Sequence, residues 1–302
     1  MANPGQAPLG RRAAIQWLLW LTAGGLLARR PLLGAPAPVN PPSAHLGLQL
    51  WSLRNQFKEN VPNALATTEG FGFKIIETAG TYGLSAGDFH TQLEAHGLKA
   101  VSAHFGYAEL DASVADVIAR AQALGVEYII VPMIPHHPLH FSAAEARVAA
   151  AKFNAWGAAI QASGMKLGYH THGYEFTPDQ ASHGEIPFEV LAAETHPDLV
   201  LLQMDVFWVA HAGVDPVQLL AKYPGRWRML HLKDLRVGAP TDASGAAPAT
   251  DDVPVGQGRI PWPQVFAAAR DAGVIYYFIE DESVAPLQNI PTSLSYLEAF
   301  HL

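Results

Sequence analysis

The fold class is most clearly indicated by residues 165–206, MKLGYHTHGYEFTPDQASHGEIPFEVLAAETHPDLVLLQMDV. This stretch begins and ends with short apolar runs that are typical of buried strands, MKLGYHTH (165–172) and LVLLQMDV (199–206). The segment PFEVLAAET (187–195) between them has the pattern of a helix. A strand–helix–strand unit of about 30 residues is typical of parallel sheets, whose strands are covered on both faces. The sequence therefore predicts a parallel α/β fold.

The same alternation continues in both directions from this unit. Strands are predicted at 46–52, 73–79, 98–105, 128–133, 165–172, 199–206, 227–234 and 274–281. Helices are predicted near 60–70, 85–96, 112–124, 142–163, 187–195, 216–223, 263–273 and 289–300. Gly97, Gly125 and Gly164 precede three of the strands, as expected for left-handed residues that end helices.

Eight such units in 302 residues predict a single (β/α)₈ TIM barrel over residues 46–302. An open doubly wound sheet is the alternative, and it usually carries a glycine-rich phosphate loop after its first strand. Here the first strand is followed by SLRNQF (52–57), which contains no glycine. The sequence therefore favours the barrel.

The N-terminal segment differs in composition from the rest of the chain. Arg11 and Arg12 precede the apolar run AAIQWLLWLTAGGLLA (13–28), and a segment rich in proline and alanine follows. This pattern predicts a signal peptide of the twin-arginine type over residues 1–37, a linker over 38–45, and export to the periplasm. An uncleaved membrane anchor is the alternative, although a membrane-spanning helix needs ~20 apolar residues.

Composition excludes several classes of protein. Apolar residues make up 49% of the chain and charged residues 15%, which excludes disorder along its whole length. The absence of cysteine excludes disulfide scaffolds, cysteine-based zinc sites and iron–sulfur clusters. The net charge of −8 argues against a nucleic-acid partner. Any metal must therefore be held by histidine and carboxylate side chains.

Polar side chains lie at the carboxyl ends of the predicted strands, where TIM barrels gather their active sites. They include Gln49, Trp51, Glu77, His104, His170, His172, Glu175, Asp205, His231, Lys233, Asp234, Glu280, Asp281 and Glu282. Several charged residues that converge on one rim lose hydration, and a cation would compensate for that loss. We therefore predict that Glu175, Asp205, His231 and Glu280 bind one divalent ion, which this ligand set allows to be Mn²⁺, Mg²⁺, Co²⁺ or Zn²⁺.

The remaining polar and aromatic residues at these ends suit a small carbohydrate. Glu77, His104 and His172 are expected to bind hydroxyl groups, and Trp51 and Trp208 to stack on a sugar face. For each tryptophan, core packing is the alternative. His170 is expected to be a packed, hydrogen-bonded side chain.

Lys233 has two predicted roles. It could stabilise negative charge that develops on the substrate, or form a structural ion pair with Asp234 or Glu282. The low-complexity segment 236–253 is expected to be a mobile lid or rim loop, with disorder as the alternative.

Five segments together resemble the xylose isomerase-like TIM-barrel superfamily, usually described as sugar phosphate isomerases and epimerases. They are GYHTHGYEF (168–176), MDVFWVAHAGVDP (204–216), HLKD (231–234), VPVGQGRIPW (253–262) and FIEDE (278–282). The resemblance implies the same four ligands, with Glu175 and Glu280 also acting as an acid–base pair. The chain departs from the family pattern at Thr171, Gln257 and Pro261, where relatives often have Asn, Glu and Asp, and this affects the expected substrate contacts.

The resemblance implies a metal-dependent sugar isomerase or epimerase, in which a carboxylate moves a proton beside a carbonyl through an enediolate stabilised by the metal. A lyase or hydratase that acts on an oxidised (keto) sugar or glycoside is the alternative, and a non-catalytic sugar-binding barrel is the third possibility. The expected partner is a small carbohydrate, without nucleic acid. Membrane contact is expected only through an uncleaved signal, and a homo-oligomer is compatible with the sequence.

Overall fold

The computed structural model describes residues 45–137 and 140–299. The predicted signal peptide and residues 38–44 of the predicted linker lie outside the described residues. None of the helices within the two described ranges is long and apolar enough to cross a membrane.

Eight parallel strands close into a barrel in the spatial order β1-β8-β7-β6-β5-β4-β3-β2. Their bounds are β1 Leu46–Gln49, β2 Ile75–Thr78, β3 Lys99–His104, β4 Tyr128–Val131, β5 Lys166–His170, β6 Val200–Asp205, β7 Trp227–Leu232 and β8 Tyr276–Ile279. Each observed strand falls within one of the predicted strands. The prediction of a single (β/α)₈ barrel is therefore confirmed.

Helices fill the connections between the strands. They are α1 Arg54–Glu59, α2 Val61–Gly70, α3 Ala86–Ala95, α4 Tyr107–Ala112, α5 Val114–Leu124, α6 Ala143–Ala162, α7 Pro187–Glu194, α8 Val206–His211, α9 Pro216–Lys222, α10 Trp262–Ala272 and α11 Pro286–Ala299. Short 3₁₀ turns occupy Leu50–Leu53, Tyr174–Phe176 and Gln180–Ser182. The short helices α1, α4 and α8 were not predicted, because six residues are too few to establish a helical period.

The helix ends follow local chemistry. Ser142 and Glu145 form a capping box at the start of α6, which satisfies backbone N–H groups that have no partner inside the helix. Gly97, Gly125 and Gly164 have φ values of 64°, 71° and 85°. These left-handed conformations confirm the predicted role of the three glycines in ending helices.

The barrel interior has an apolar lower layer and a polar upper layer. The lower layer is formed by Val101, Tyr128, Ile130, Leu201, Met229 and Phe278. Gly47 makes room in it, since a Cβ atom there would lie 2.8 Å from the Phe278 ring. Above it lie the buried polar residues Gln49, Glu77, Ser102, His170, Gln203, Asp205 and His231. The polar layer therefore lies at the carboxyl ends of the strands.

The low-complexity segment after β7 lies at the rim of the barrel, as predicted. Asp234–Leu235 and Asp252–Val253 pair as a two-stranded antiparallel ribbon, and residues 236–251 connect them. A Cβ atom on Gly245 would lie 3.1 Å from the carbonyl oxygen of His172. The segment therefore approaches the loop after β5.

Candidate metal and substrate site

Three of the predicted ligands meet at the carboxyl ends of β6, β7 and β8. Asp205 ends β6 and lies beside His231 of β7 in the strand register, and Glu280 directly follows β8. His231 Nδ1 is 3.1 Å from Glu280 Oε2 and 3.9 Å from Asp205 Oδ2. One ligand atom from each residue lies within 4.8 Å of the others. Ligand bonds of about 2.1 Å place neighbouring ligand atoms at comparable distances, so the three fit around one ion.

Glu77, on β2, contacts the second nitrogen of the His231 ring. His231 Nε2 is 2.6 Å from Glu77 Oε1, so the ring donates to carboxylates from both nitrogens. Burial opposes charge on His231, but Glu280 and Glu77 outweigh burial and raise its pKa to about 10. A histidine that binds an ion through Nδ1 needs Nε2 protonated, and Glu77 provides the acceptor that fixes this tautomer.

The Glu77 carboxylate is fully enclosed by donors. It accepts hydrogen bonds from Gln49 Nε2 at 2.8 Å, Ser102 Oγ at 2.5 Å and Gln203 Nε2 at 2.9 Å. Burial opposes ionisation, but His104 and His231 hold the pKa of Glu77 well below its usual value. The sequence predicts a substrate contact for Glu77. In the structure this carboxylate has no exposed surface and contacts His231, and its substrate contact stays a prediction.

Two further histidines line the polar layer. His170 Nδ1 is 2.9 Å from Gln203 Oε1, and burial together with the neighbouring His231 lowers the pKa of His170 well below its usual value. His170 is therefore a neutral, packed side chain, as expected. His104 Nε2 lies 3.0 Å from Glu77 Oε1, and its side chain is 13% exposed. His104 is therefore only partly buried, and its predicted contact with substrate hydroxyl groups stays a prediction.

Lys233 lies among the carboxylates of this cluster. Its Nζ is 3.1 Å from Asp205 Oδ2, 3.1 Å from Glu280 Oε2 and 2.8 Å from Glu282 Oε2. Burial opposes its charge, but these carboxylates raise the pKa of Lys233 well above its ordinary value. The ammonium group therefore stays charged and can stabilise negative charge nearby. Of its two predicted ion-pair partners, Glu282 is the one in contact.

Asp234 organises the loop that follows the ribbon. It accepts hydrogen bonds from the backbone N–H groups of Gly256, Gly258 and Ile260 and from Trp262 Nε1, at 2.8–3.2 Å. A Cβ atom on Gly258 would overlap the Asp234 carboxylate, so this close approach requires glycine. The last residue of HLKD (231–234) therefore holds the segment VPVGQGRIPW (253–262) in place.

Glu175 lies outside the group formed by the other three predicted ligands. Gly173 (φ 96°) turns the chain after β5, and Glu175 falls in the 3₁₀ turn that follows. Its Oε1 accepts a hydrogen bond from the His172 backbone at 2.8 Å. Its Oε2 is buried without a hydrogen-bond partner in the described part of the chain. Burial raises the pKa of Glu175 to about 7, and its role as a ligand stays a prediction.

A cavity of about 350 Å³ opens at the barrel mouth and brings together three residues predicted to contact substrate, Trp51, His172 and Trp208. The rings of His172 and Trp208 are stacked with centroids 4.8 Å apart. Burial and Lys233 lower the pKa of His172 to about 3, so its ring is neutral. Residues 245–249 of the rim loop also line this cavity. Lys233 Nζ lies 5.1 Å from the Trp208 ring, which places the cavity beside the carboxylate cluster.

Two residues of this region, Gln203 and Asp252, were not predicted from the sequence. Gln203 carries a detectable signal, because it lies two residues before Asp205 and therefore on the same face of β6. Glu282, one of the two predicted partners of Lys233, also accepts a hydrogen bond from Trp51 Nε1 at 3.1 Å. No sequence pattern indicates a role for Asp252, because it lies in a segment without periodicity.

The donor set fits a divalent ion. Two carboxylates and one imidazole converge, and the hydrogen bond from His231 Nε2 to Glu77 fixes the tautomer of His231. Asp205 Oδ2 is buried and has no hydrogen-bond partner among the residues described, although the Lys233 ammonium lies within ion-pair distance. Burial raises the pKa of Asp205 to about 6 against the opposing effect of Lys233. A further cation at this oxygen would relieve the cost of burying its charge.

Comparison with known proteins places the chain in a family. The profile of the family described as xylose isomerase-like TIM barrel matches residues 65–300. An inosose dehydratase from Clostridium botulinum is 27% identical over 202 residues, which cover 59% of this chain and 65% of the relative. The match therefore spans less than two thirds of that relative's length.

Two solved structures have the same fold. A sugar phosphate isomerase/epimerase from Parabacteroides distasonis superposes with a TM-score of 0.71 at 23% identity, covering 88% of this chain and 98% of that one. The IolI protein, solved with a bound zinc atom, superposes with a TM-score of 0.64 at 15% identity, covering 85% and 96%. With the family profile matching more than half of its length, the chain belongs to the xylose isomerase-like TIM barrel family.

Proposed function

We propose that this chain is a metal-dependent enzyme that isomerises or epimerises a small carbohydrate by moving a proton on the carbon beside a carbonyl group. The observation that carries this proposal is the convergence of Asp205, His231 and Glu280 beside a cavity lined by aromatic side chains. The zinc atom bound to the IolI protein, which has the same fold, supports a metal in this barrel.

In this proposal Asp205, His231 and Glu280 hold the ion, and Glu77 keeps His231 in the required tautomer. A bound divalent ion would act as a Lewis acid toward the carbonyl and the adjacent hydroxyl oxygen. The Lys233 ammonium group lies beside Asp205 and Glu280 and would add a fixed positive charge that stabilises negative charge on the substrate. Trp51 and Trp208 are the proposed stacking residues, and Trp51 is the more exposed of the two, at 40% against 5%. His104 and His172 are proposed to bind hydroxyl groups of the sugar.

Two carboxylates are proposed to transfer the proton. Glu175 is the proposed base, because a pKa of about 7 lets it accept and release a proton near neutral pH. Glu280 is the proposed partner that returns the proton. Both side chains are almost completely buried, so water competes little for the transferred proton.

A dehydratase is the second candidate, and it is favoured by the relative named as an inosose dehydratase. Elimination of water begins with removal of the same kind of proton and then expels a hydroxide from the next carbon. The two reactions therefore use the same base and ion, and they differ in the product.

The test is proton exchange in D₂O followed by NMR, with Mn²⁺-loaded protein and a panel of neutral and phosphorylated ketoses and inososes. We expect deuterium to enter at the carbon beside the carbonyl, and Glu280→Gln to abolish this exchange. A rearranged product indicates isomerisation or epimerisation, and an unsaturated product indicates dehydration. Absence of exchange with every compound would contradict the proposal and favour a non-catalytic sugar-binding barrel.

We also propose that residues 1–37 direct export of the folded protein to the periplasm. Arg11 and Arg12 before the apolar run support this proposal. N-terminal sequencing of protein recovered from the periplasmic fraction tests it, and we expect the mature chain to begin near Pro38. Recovery of an intact N-terminus from the membrane fraction would support the anchor alternative.

A further inference from the structure

The Lys233 ammonium group contacts oxygens of two proposed metal ligands. Its Nζ is 3.1 Å from Asp205 Oδ2 and 3.1 Å from Glu280 Oε2. The same two oxygens lie 3.9 and 3.1 Å from His231 Nδ1, the third proposed ligand atom. Lys233 therefore contacts the oxygens that are expected to bind the ion.

An ion bound to either of these oxygens would lie close to the ammonium group. With ligand bonds of about 2.1 Å, the ion could be no more than about 5 Å from Lys233 Nζ. Both carry positive charge, and like charges at this distance repel strongly in a buried site, where water and salt screen little. The Lys233 side chain is fully buried, so solvent cannot take up its charge.

Glu282 gives Lys233 a partner outside the proposed ligand set. Its Oε2 is 2.8 Å from Lys233 Nζ, and its Oε1 accepts a hydrogen bond from Trp51 Nε1 at 3.1 Å. The indole N–H group thus fixes the carboxylate with Oε2 directed at the ammonium group. The Glu282 side chain is 25% exposed, so its charge costs less to keep in place than a fully buried one.

We propose that Lys233 competes with the divalent ion for Asp205 Oδ2 and Glu280 Oε2, and that Glu282 is a positioning residue that holds the ammonium group when the ion is bound. This inference rests on the metal site of the proposed function and identifies residues that set its affinity. Lys233 lowers the affinity by repelling the ion. Glu282 raises the affinity by drawing the ammonium group away from the ligand oxygens.

Calorimetric titration with Mn²⁺, without any substrate, tests this inference. Lys233→Met should bind Mn²⁺ at least about 10-fold more tightly than the wild type, because a positive charge next to the ion is removed. The control is Lys99→Met, which removes the same charge from an exposed side chain at the start of β3, the opposite end of the strand from the site. This control should bind Mn²⁺ like the wild type. Unchanged or weaker Mn²⁺ binding by folded Lys233→Met would overturn the inference.

Glu282→Gln distinguishes competition by Lys233 from a simple loss of negative charge. In the wild-type background it should weaken Mn²⁺ binding about 10-fold, because Lys233 then has only the ligand carboxylates to contact. In the Lys233→Met background it should weaken Mn²⁺ binding about 2-fold or less, since a partly exposed charge attracts the ion only through screened interactions. Equal effects in the two backgrounds would overturn the positioning role of Glu282.

Thermal unfolding decides the case in which Lys233→Met is unfolded without the ion, since loss of one partner destabilises a buried charge cluster. Millimolar Mn²⁺ should then restore a cooperative unfolding transition, because the ion replaces the lost positive charge and stabilises the folded chain. A variant that stays unfolded with Mn²⁺ would overturn the inference.

The outcome for the proposed function is separate. Mn²⁺ affinities that follow these expectations, without deuterium exchange from any ketose or inosose, would support this inference and contradict the proposed enzyme. Deuterium exchange by the wild type, together with unchanged Mn²⁺ affinity in Lys233→Met, would support the proposed enzyme and overturn this inference.

Discussion

Replacement of Glu77 by glutamine tests whether this carboxylate positions His231 or binds substrate. The change keeps the size of the side chain and removes its charge. Every neighbour that contacts the carboxylate is a donor, so the new NH₂ group must face donors on one of its two sides. If it replaces Oε2, it faces Ser102 and Gln203. If it replaces Oε1, it faces Gln49 and His231.

The expected cost follows from these contacts. Glu77 and His231 form a fully buried pair at 2.6 Å, and breaking a buried pair by removing one charge costs about 3–5 kcal/mol. We therefore expect Glu77→Gln to lower the free energy of unfolding by about 3 kcal/mol. Glu77 accepts the hydrogen bond from His231 Nε2, and loss of such an acceptor from a metal-binding histidine should also weaken metal affinity about 10–100-fold.

Urea unfolding followed by tryptophan fluorescence and calorimetric titration with Mn²⁺ measure the two effects. Glu127→Gln is the control, because Glu127 pairs with Lys99 on the surface and should contribute at most about 1 kcal/mol. A Glu77→Gln variant with wild-type stability and metal affinity but a raised KM would refute the positioning role and restore the substrate contact.

Three further predictions concern the loop, the base and the ion. Gly258→Ala should destabilise the protein by about 2 kcal/mol, measured by urea unfolding, because its Cβ atom would overlap the Asp234 carboxylate; unchanged stability would contradict the close approach. Burial raises the pKa of Glu175 to about 7, so the contribution of Glu175 to the free energy of unfolding should fall as pH rises from its ordinary pKa toward that value. Between pH 4.5 and 8, in chelator-treated protein, the free energy of unfolding of Glu175→Gln should therefore rise by up to about 3 kcal/mol relative to that of the wild type. A difference in free energy between the two proteins that is constant across this range would refute the raised pKa of Glu175. Chelation should abolish proton exchange, and added Mn²⁺ should restore it in the wild type but not in Glu280→Gln; exchange that survives chelation would exclude a metal-dependent step.

Periodicity was sufficient to predict the barrel. The eight strands are short, mostly apolar runs, and most of the helices between them are long enough to show their pattern, as in Ala143–Ala162. Helices of six residues, such as Val206–His211, and the ribbon made by Asp234–Leu235 and Asp252–Val253 could not be predicted this way. Their formation depends on tertiary contacts that leave little trace in the local sequence.

The site was predictable where its residues belong to strands or follow them directly. Asp205, His231 and Glu280 lie at strand ends, so strand register fixes their relative positions. Glu175 lies five residues beyond β5, after a turn at Gly173, and register no longer determines where its side chain points. Asp252 reaches the cavity only because the ribbon returns to the barrel mouth, and neither its spacing nor its local composition indicates this.

The proposed function depends on a divalent ion held by Asp205, His231 and Glu280. Elemental analysis of purified protein, wild type against Asp205→Asn, tests it most directly. We expect one divalent ion per chain in the wild type and its loss in a folded Asp205→Asn variant. A wild-type protein that contains no ion, even after incubation with Mn²⁺, would contradict it.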